Sequence, residues 1–458
     1  MDKTVIAIDI GSGSITSIVA QNDYNNKINI LGIGKSQSSG IHKGSIVDIE
    51  KASTAIKDSV DLAKSSYDSN IDETFISISS TNTRSIRSHS SINVPSGQIT
   101  IKEIKQVLLV ALYDAQIVPE YEAIHVIPLY FKVDDNDSIS NPLNMNGSRL
   151  EVYANIITVK KTAITNIKSA LKKSNLEDIT IVLKSYASSI GTLNLDQKSL
   201  GTLLIDIGAT TADFVIYKNK SLMYNDAVTI GSEHISNDLS ILLRTPIDAA
   251  DEIKKNYGSL LPRDDEKITK IKIRLIGNEE EQESISLDYV QTIIHARVEE
   301  LLCLIEQKIV NSGLKEHFNN IIITGGMSKI NGIEQLAKKV FLTPTQTQMP
   351  HTIQNGYINF NDPTLTTTAG LLMYALDSEP SFELNSKKEL REKVIKIKPI
   401  QDIPEPQNKT QKPQMQKETS QNKEDNNSFE SIDISEVQEK KQNDSVFNKM
   451  MKKFSEWL

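Results

Sequence analysis

One short pattern occurs twice in this chain and limits the possible folds more than any other feature. Val5-Ile6-Ala7-Ile8-Asp9-Ile10-Gly11 is an apolar run ending in Asp-x-Gly, and a second apolar segment follows from Ile15 to Ala20. Leu203-Leu204-Ile205-Asp206-Ile207-Gly208 repeats the pattern about 197 positions later, with Asp213 to Lys218 as its return segment. An apolar run of this length that stops at glycine predicts a buried strand, and two runs joined by a glycine turn predict a hairpin. Two such hairpins predict two related halves. The length of 458 residues agrees, because a single core stops growing well below it.

Between and after the hairpins, periodicity predicts further elements. Ile28 to Ser36 reads as a strand, Ile49 to Ser66 as a helix with Ile56, Val60, Leu62 and Ala63 near one face, and Phe75 to Ser79 as a strand. Residues 82–160 read as a small α+β module. Its strands are Ser85 to Asn93, Ala123 to Val133 and Arg149 to Val159, and its helix is Ile101 to Ala115. A helix at Thr162 to Ser174 and a strand at Ile179 to Leu183 lead to the second hairpin. Beyond it come helices at Gly231 to Arg244, Pro246 to Tyr257 and Leu287 to Val310, a strand at Ile321 to Thr324, and a last core helix at Thr366 to Leu376.

Three strand-to-glycine turns carry the candidate chemistry: DIGSGSIT at 9–16, DIGATTADF at 206–214 and ITGGMSKINGI at 323–333. A glycine turn lets backbone N–H groups approach phosphate oxygens with no Cβ in the way. The candidate phosphate-binding residues are Asp9, Gly11, Ser12, Gly13 and Ser14 in the first turn, and Asp206, Gly208, Ala209, Thr210 and Thr211 in the second. Asp9 and Asp206 suit Mg²⁺ held through water, since that ion keeps several waters and takes one or two carboxylates. Gly325, Gly326, Met327 and Lys329 form the third turn, whose glycines would let a base or ribose pack on backbone.

The order of two phosphate turns and a later adenosine turn resembles the superfamily of actin, Hsp70 and the sugar kinases. Glu252 and Lys255 resemble the Glu-x-x-Lys pair that flanks adenosine in Hsp70-like members. GIHKGSIVDIEKASTAI at 40–56, HVIPLYFKVDDNDSISNPLNMNGSRLEV at 125–152 and IGSEHISNDLSILLRTPIDAADEIKKNYG at 230–258 narrow this to a resemblance to the FtsA family of actin-like bacterial cell-division proteins. It implies an α/β, actin-like two-lobed ATPase fold with a duplicated ribonuclease-H-like core that binds ATP and Mg²⁺. It divides the chain into subdomain 1A at 1–81 and 161–200, an inserted subdomain 1C at 82–160, subdomain 2A at 201–229 and 306–385, and subdomain 2B at 230–305. A disordered linker at 386–444 and an amphipathic helix at 445–458 follow. It also implies self-association into filaments and capture of the C-terminal peptide of FtsZ by subdomain 2B, with Arg244, Lys254 and Arg297 as candidate contacts. Later division proteins are further implied partners, and the implied location is the cytoplasmic side of the inner membrane at the division site.

Two positions depart from the superfamily pattern. Ser14 stands where many members carry a phosphate-contacting lysine, and Lys184 stands near the point where efficient ATPases place Glu or Gln to orient water. A lysine has no acceptor lone pair for that water. Nucleotide binding is therefore expected, with weak or no hydrolysis.

Residues 401–444 are poor in apolar side chains and rich in Gln, Asn, Lys, Glu and Ser, so they cannot offset their chain entropy by burial. As a flexible tether these roughly 44 residues reach about 35–40 Å. Beyond them, Val446, Phe447, Met450, Met451, Phe454, Trp457 and Leu458 fall within about 140° of a helical wheel, with Lys449, Lys452, Lys453 and Glu456 opposite. Such a helix lies in an anionic lipid interface.

The remaining features narrow the alternatives. Net charge is -8 with a pI near 5.6, which argues against bulk nucleic-acid binding. Cys303 is the single cysteine and is expected as a small core residue. The seven histidines show no metal-ligand spacing. The N-terminus lacks the pattern of a signal peptide. Within the same fold, a pilus-assembly ATPase is the nearest alternative, and a sugar kinase or chaperone-like ATPase explains the terminal helix less well.

Overall fold

The structure is a computed structural model. It describes residues 3–391 apart from 23–26, 66–69, 177, 262–268, 352, 354–359 and 377–381. The expected tether beyond Arg391 and the amphipathic helix at 445–458 lie outside the described residues.

Two five-stranded sheets repeat one connectivity. In the first, Thr4–Ile10 pairs antiparallel with Ser14–Asn22, which pairs antiparallel with Ile28–Gln37. On its other side Thr4–Ile10 pairs parallel with Glu73–Ile78, and that strand pairs parallel with Ile179–Leu183. In the second, Thr202–Ile207 takes Ala212–Lys218 and then Ser221–Val228 on its antiparallel side, and Asn320–Thr324 and Thr345–Thr347 on its parallel side. Both leading strands are buried from end to end, Ile10 alone being half-buried. Helices or the other lobe cover both of their faces, so the runs read as continuously apolar rather than alternating. Each fully buried Ile, Leu or Val there contributes roughly 1.5–3 kcal/mol.

The insert forms a sheet from Thr83–Asn93, Arg149–Lys160 and Tyr121–Val133, covered by the helix Ile101–Asp114. Thr100 and Glu103 close a capping box at the start of that helix. The expected boundaries need correction at the far end of the chain. Glu383–Leu384 pairs with the edge of this sheet at Val126 and with Leu390–Arg391, so the chain stays packed past residue 386.

A second correction concerns the last core helix. Thr366–Leu376 packs on the helix Lys184–Thr192 and contributes Ala369, Leu371, Leu372 and Tyr374 to the core of the first lobe, not the second. Gly191 and Gly370 make that crossing. A Cβ on Gly370 would lie 1.7 Å from the carbonyl oxygen of Ala187, and one on Gly191 would lie 2.5 Å from that of Thr366. The two backbones therefore touch directly between the lobes.

Two side chains differ from expectation because a helix face is narrower than a loose reading of the sequence allows. Leu62 is 52% exposed, two residues and so about 200° past Val60. Cys303 is exposed too, one position beyond the buried stripe of Val298, Leu301, Leu302 and Ile305.

A buried clasp fixes the 383–391 hairpin. The Glu383 carboxylate accepts from Tyr186 Oη at 2.7 Å, Tyr374 Oη at 2.5 Å and Arg391 Nη1 at 3.1 Å, and Arg391 lies 3.5 Å over the Tyr374 ring. Burial alone would raise the pKa of Glu383, but Arg391, His125 and Tyr374 outweigh it and bring the pKa down to about 2. A depressed pKa stabilises the fold above the unfolded-state value, and that contribution is lost as pH falls toward the folded value. The difference in unfolding free energy between the native chain and Glu383→Gln should be roughly 3 kcal/mol above pH ~5 and about half that at pH ~3. Urea titrations at the two pH values measure it, and a pH-independent gap would mean that the carboxylate is not charged in the fold.

Candidate functional site

The two duplicated hairpins turn their glycine loops toward each other. A Cβ on Gly13 would lie 2.8 Å from Ala209 Cβ, so the first and second turns meet at this point. The loop after the third strand bridges them: Lys43 N donates to Thr210 Oγ1 at 3.1 Å and Gly44 N to Ser12 Oγ at 3.4 Å. The second turn is fixed from behind by the helix Ser232–Leu243. Ser232 N donates to Gly208 O and Glu233 N to Ala209 O, while Gly208 N closes the turn on Thr211 O at 2.8 Å. Glu233, at the start of that helix, has its carboxylate oxygen 3.9 Å from a Cβ placed on Gly13. Burial raises its pKa, against the pull of Lys254 and His42.

Behind the turns the acids converge. Asp9 is 7% exposed and accepts from Ser77 Oγ at 2.7 Å. Asp206, 4% exposed, accepts from Ser188 Oγ at 2.6 Å and Thr367 Oγ1 at 3.1 Å. Burial raises the pKa of Asp206 in spite of Lys184 and Ser188. Asp213 is fully buried and accepts from Ser79 Oγ, Ser80 N and Thr211 Oγ1 at 2.6–2.9 Å.

Lys184 opens the helix that links the lobes and places Nζ 3.6 Å from Asp9 Oδ1, with its side chain 11% exposed. Burial disfavours its charge, but Asp9, Asp206 and Asp213 together outweigh that and push its pKa up. From sequence this lysine marks only a missing acceptor. In the fold it is the counter-ion of the acidic cluster.

The third turn is a short 3-10 segment, Gly326–Lys329, at the end of the strand Asn320–Thr324. Gly325 has φ +84°, and a Cβ there would lie 2.3 Å from Asp206 Oδ1, so this turn abuts the second aspartate. Met327 is buried and Lys329 pairs with Asp362 at 3.0 Å. The helix Ile247–Tyr257 carries the other expected pair. Glu252 is exposed, and Lys255 is paired with Asp251 at 2.6 Å. The neighbouring Lys254 points inward instead, donating to Ser232 O and Ser236 Oγ at the start of the preceding helix. Asp213 lies within the second motif, but from sequence it reads only as the start of the return strand and not as a site residue. Ser188, Thr367 and Glu233 come from distant segments, and no local pattern marks them.

Three carboxyl groups and one ammonium converge in a cluster largely shielded from water, an oxygen-rich setting that suits a divalent cation held through water. Glycine turns and the Ser12 and Thr210 hydroxyls in front of the cluster suit phosphate. The residues present thus fit a magnesium–nucleotide complex.

Comparisons with known proteins bear on the family and the fold. A family model described as "Cell division protein FtsA" matches residues 203–370, and one described as "SHS2 domain inserted in FTSA" matches 80–158. The chain is 31% identical to the cell division protein FtsA of Helicobacter pylori strain 26695 over 85% of each chain. It is 28% identical to that of Pseudomonas aeruginosa, over 82% of this chain and 90% of the relative. Among solved structures, a chain of the PilM-PilN type IV pilus biogenesis complex superposes with a TM-score of 0.57 at 13% identity, covering 81% of this chain and 98% of that one. This last likeness concerns the fold alone.

Proposed function

As the chain belongs to the FtsA family of cell division proteins, we propose that it binds ATP between its lobes and couples the division ring to the membrane. The observation that carries the nucleotide reading is the contact of the two glycine turns at Gly13 and Ala209 in front of Asp9, Asp206 and Asp213. Bound Mg²⁺ would neutralise phosphate charge there. Asp9 and Asp206 would hold its waters, the first two turns would cradle the phosphates, and Gly325 to Lys329, with Glu252 and Lys255, would flank the adenosine. Hydrolysis is expected to be slow, since Lys184 occupies the start of the linking helix.

In this reading the FtsZ peptide docks on the region 230–305. Of the three candidate cations, Arg297 is engaged by Asp238 at 2.6 and 2.8 Å and Lys254 by Asp251 at 2.5 Å. Arg244 is exposed and sits among Ile241, Ile247 and Ile276, which are 74%, 50% and 64% exposed. An apolar patch around an arginine fits a peptide with apolar and acidic side chains. The lysine-faced helix at 445–458 supplies lipid attachment. Each of its three lysines contributes roughly 1 kcal/mol near an anionic leaflet, so one copy binds reversibly and a filament of many copies binds tightly.

Sedimentation with anionic vesicles tests the coupling. The full chain with ATP should pellet and carry FtsZ with it, whereas a chain ending at Asp444 should stay in the supernatant. Equal pelleting of both would remove the membrane role.

A further inference from the structure

Lys184 is the one lysine drawn into the acidic cluster among the described residues, yet its contact there is loose. Its Nζ lies 3.6 Å from Asp9 Oδ1, whereas a direct charge-assisted hydrogen bond spans about 2.7–2.9 Å. The acids have closer partners of their own. Asp9 is bonded by Ser77, Asp206 by Ser188 and Thr367, and Asp213 by Ser79, Ser80 and Thr211. Lys184 thus faces the carboxylates without being locked onto any of them. It is the first residue of the linking helix, and the Asp9 it faces borders the first glycine turn, with Oδ2 4.0 Å from a Cβ placed on Gly11. The first turn brings no cation of its own, having Ser12 between its glycines and Ser14 as the first residue of the return strand. A triphosphate carries more charge than the diphosphate at the end that would enter this cluster.

We propose, on the basis of the nucleotide reading above, that Lys184 is the phosphate-contacting cation of this cleft: its ammonium leaves Asp9 for the terminal phosphate, favours the triphosphate over the diphosphate, and sustains that preference with the divalent ion removed. Lys184 thereby supplies from the linking helix the charge that the first turn lacks. No bond is made or broken, and only the partner of the ammonium changes.

Calorimetry of ATP and ADP binding to the full chain, in Mg²⁺ and in EDTA, tests this. In EDTA the native chain should prefer ATP over ADP by about 10- to 100-fold, the value of one hydrogen bond to a charged group. Lys184→Met should bring the two affinities within about 3-fold, and Lys184→Arg should retain most of the preference, because charge is the operative property. A Lys184→Met chain with the native ATP/ADP ratio in EDTA would overturn the inference while leaving the cleft reading intact. A native chain that binds no ATP even in Mg²⁺ would overturn both. If Lys184→Met does not fold, because three buried acids lose their counter-ion, the native chain decides alone: no triphosphate preference in EDTA refutes the role of Lys184.

Discussion

Gly208→Val should lower ATP affinity by at least about 100-fold, or roughly 3 kcal/mol, while leaving the empty protein folded. Gly208 lies in the second turn, and a Cβ there meets only the Thr211 carbonyl oxygen, at 3.4 Å, an ordinary contact. Its φ is not among the left-handed ones, so an L-residue fits the backbone there. The added isopropyl group would stand where phosphate must approach the turn, and the lost contacts are charge-assisted ones that a hydrophobic side chain cannot replace. Titration with ATP and melting of the apo protein give the two readouts. Native affinity in the mutant would take the second turn out of the binding site. A collapsed apo protein would show that the turn is a packing element instead.

The second large effect is on stability. Gly370→Ala should destabilise the protein by about 3 kcal/mol or more, the upper range for overpacking. A methyl group placed 1.7 Å from the Ala187 carbonyl oxygen cannot be absorbed by a rotamer change, so the helices Lys184–Thr192 and Thr366–Leu376 must separate. With a slope near 3 kcal/mol/M, the urea midpoint should fall by about 1 M. Gly277→Ala is the control. It has open space around it but φ +86°, so it costs only backbone strain of roughly 1–2 kcal/mol. If both substitutions cost the same, the helix crossing is less tight than the backbone contact implies.

The strands of both hairpins were legible because burial on two faces writes a continuous apolar run into the sequence. So was the order of the three turns. The lobe that receives Thr366–Leu376 was not legible, since an apolar helix records that it is buried and not against what. The hairpin at 383–391 was hidden for a different reason. Its strands are two residues long, and its residues are mostly polar or charged. Charged groups read as solvated until Tyr186, Tyr374 and Arg391 are seen to satisfy Glu383. Likewise Ser221–Val228, the third strand of the second sheet, carries Asn225 and Asp226 in mid-run and gives no clean alternation. Within the site, the acids at the turns could be read locally, but Ser188, Thr367 and the role of Lys184 required the lobes to be assembled around the linking helix.

The 383–391 hairpin also decides how the body feels a pull. The chain runs on beyond Arg391, so tension from that side enters through two short strands at the rim of the insert sheet. Those strands share only two paired positions with each other and one with the insert sheet. The first strong resistance is the ionic knot of Arg391 and Glu383. Glu383 in turn grips Tyr186, two residues beyond Lys184. A pull on the hairpin is thus passed, through Glu383 and Tyr186, to the helix that opens at the acidic cluster.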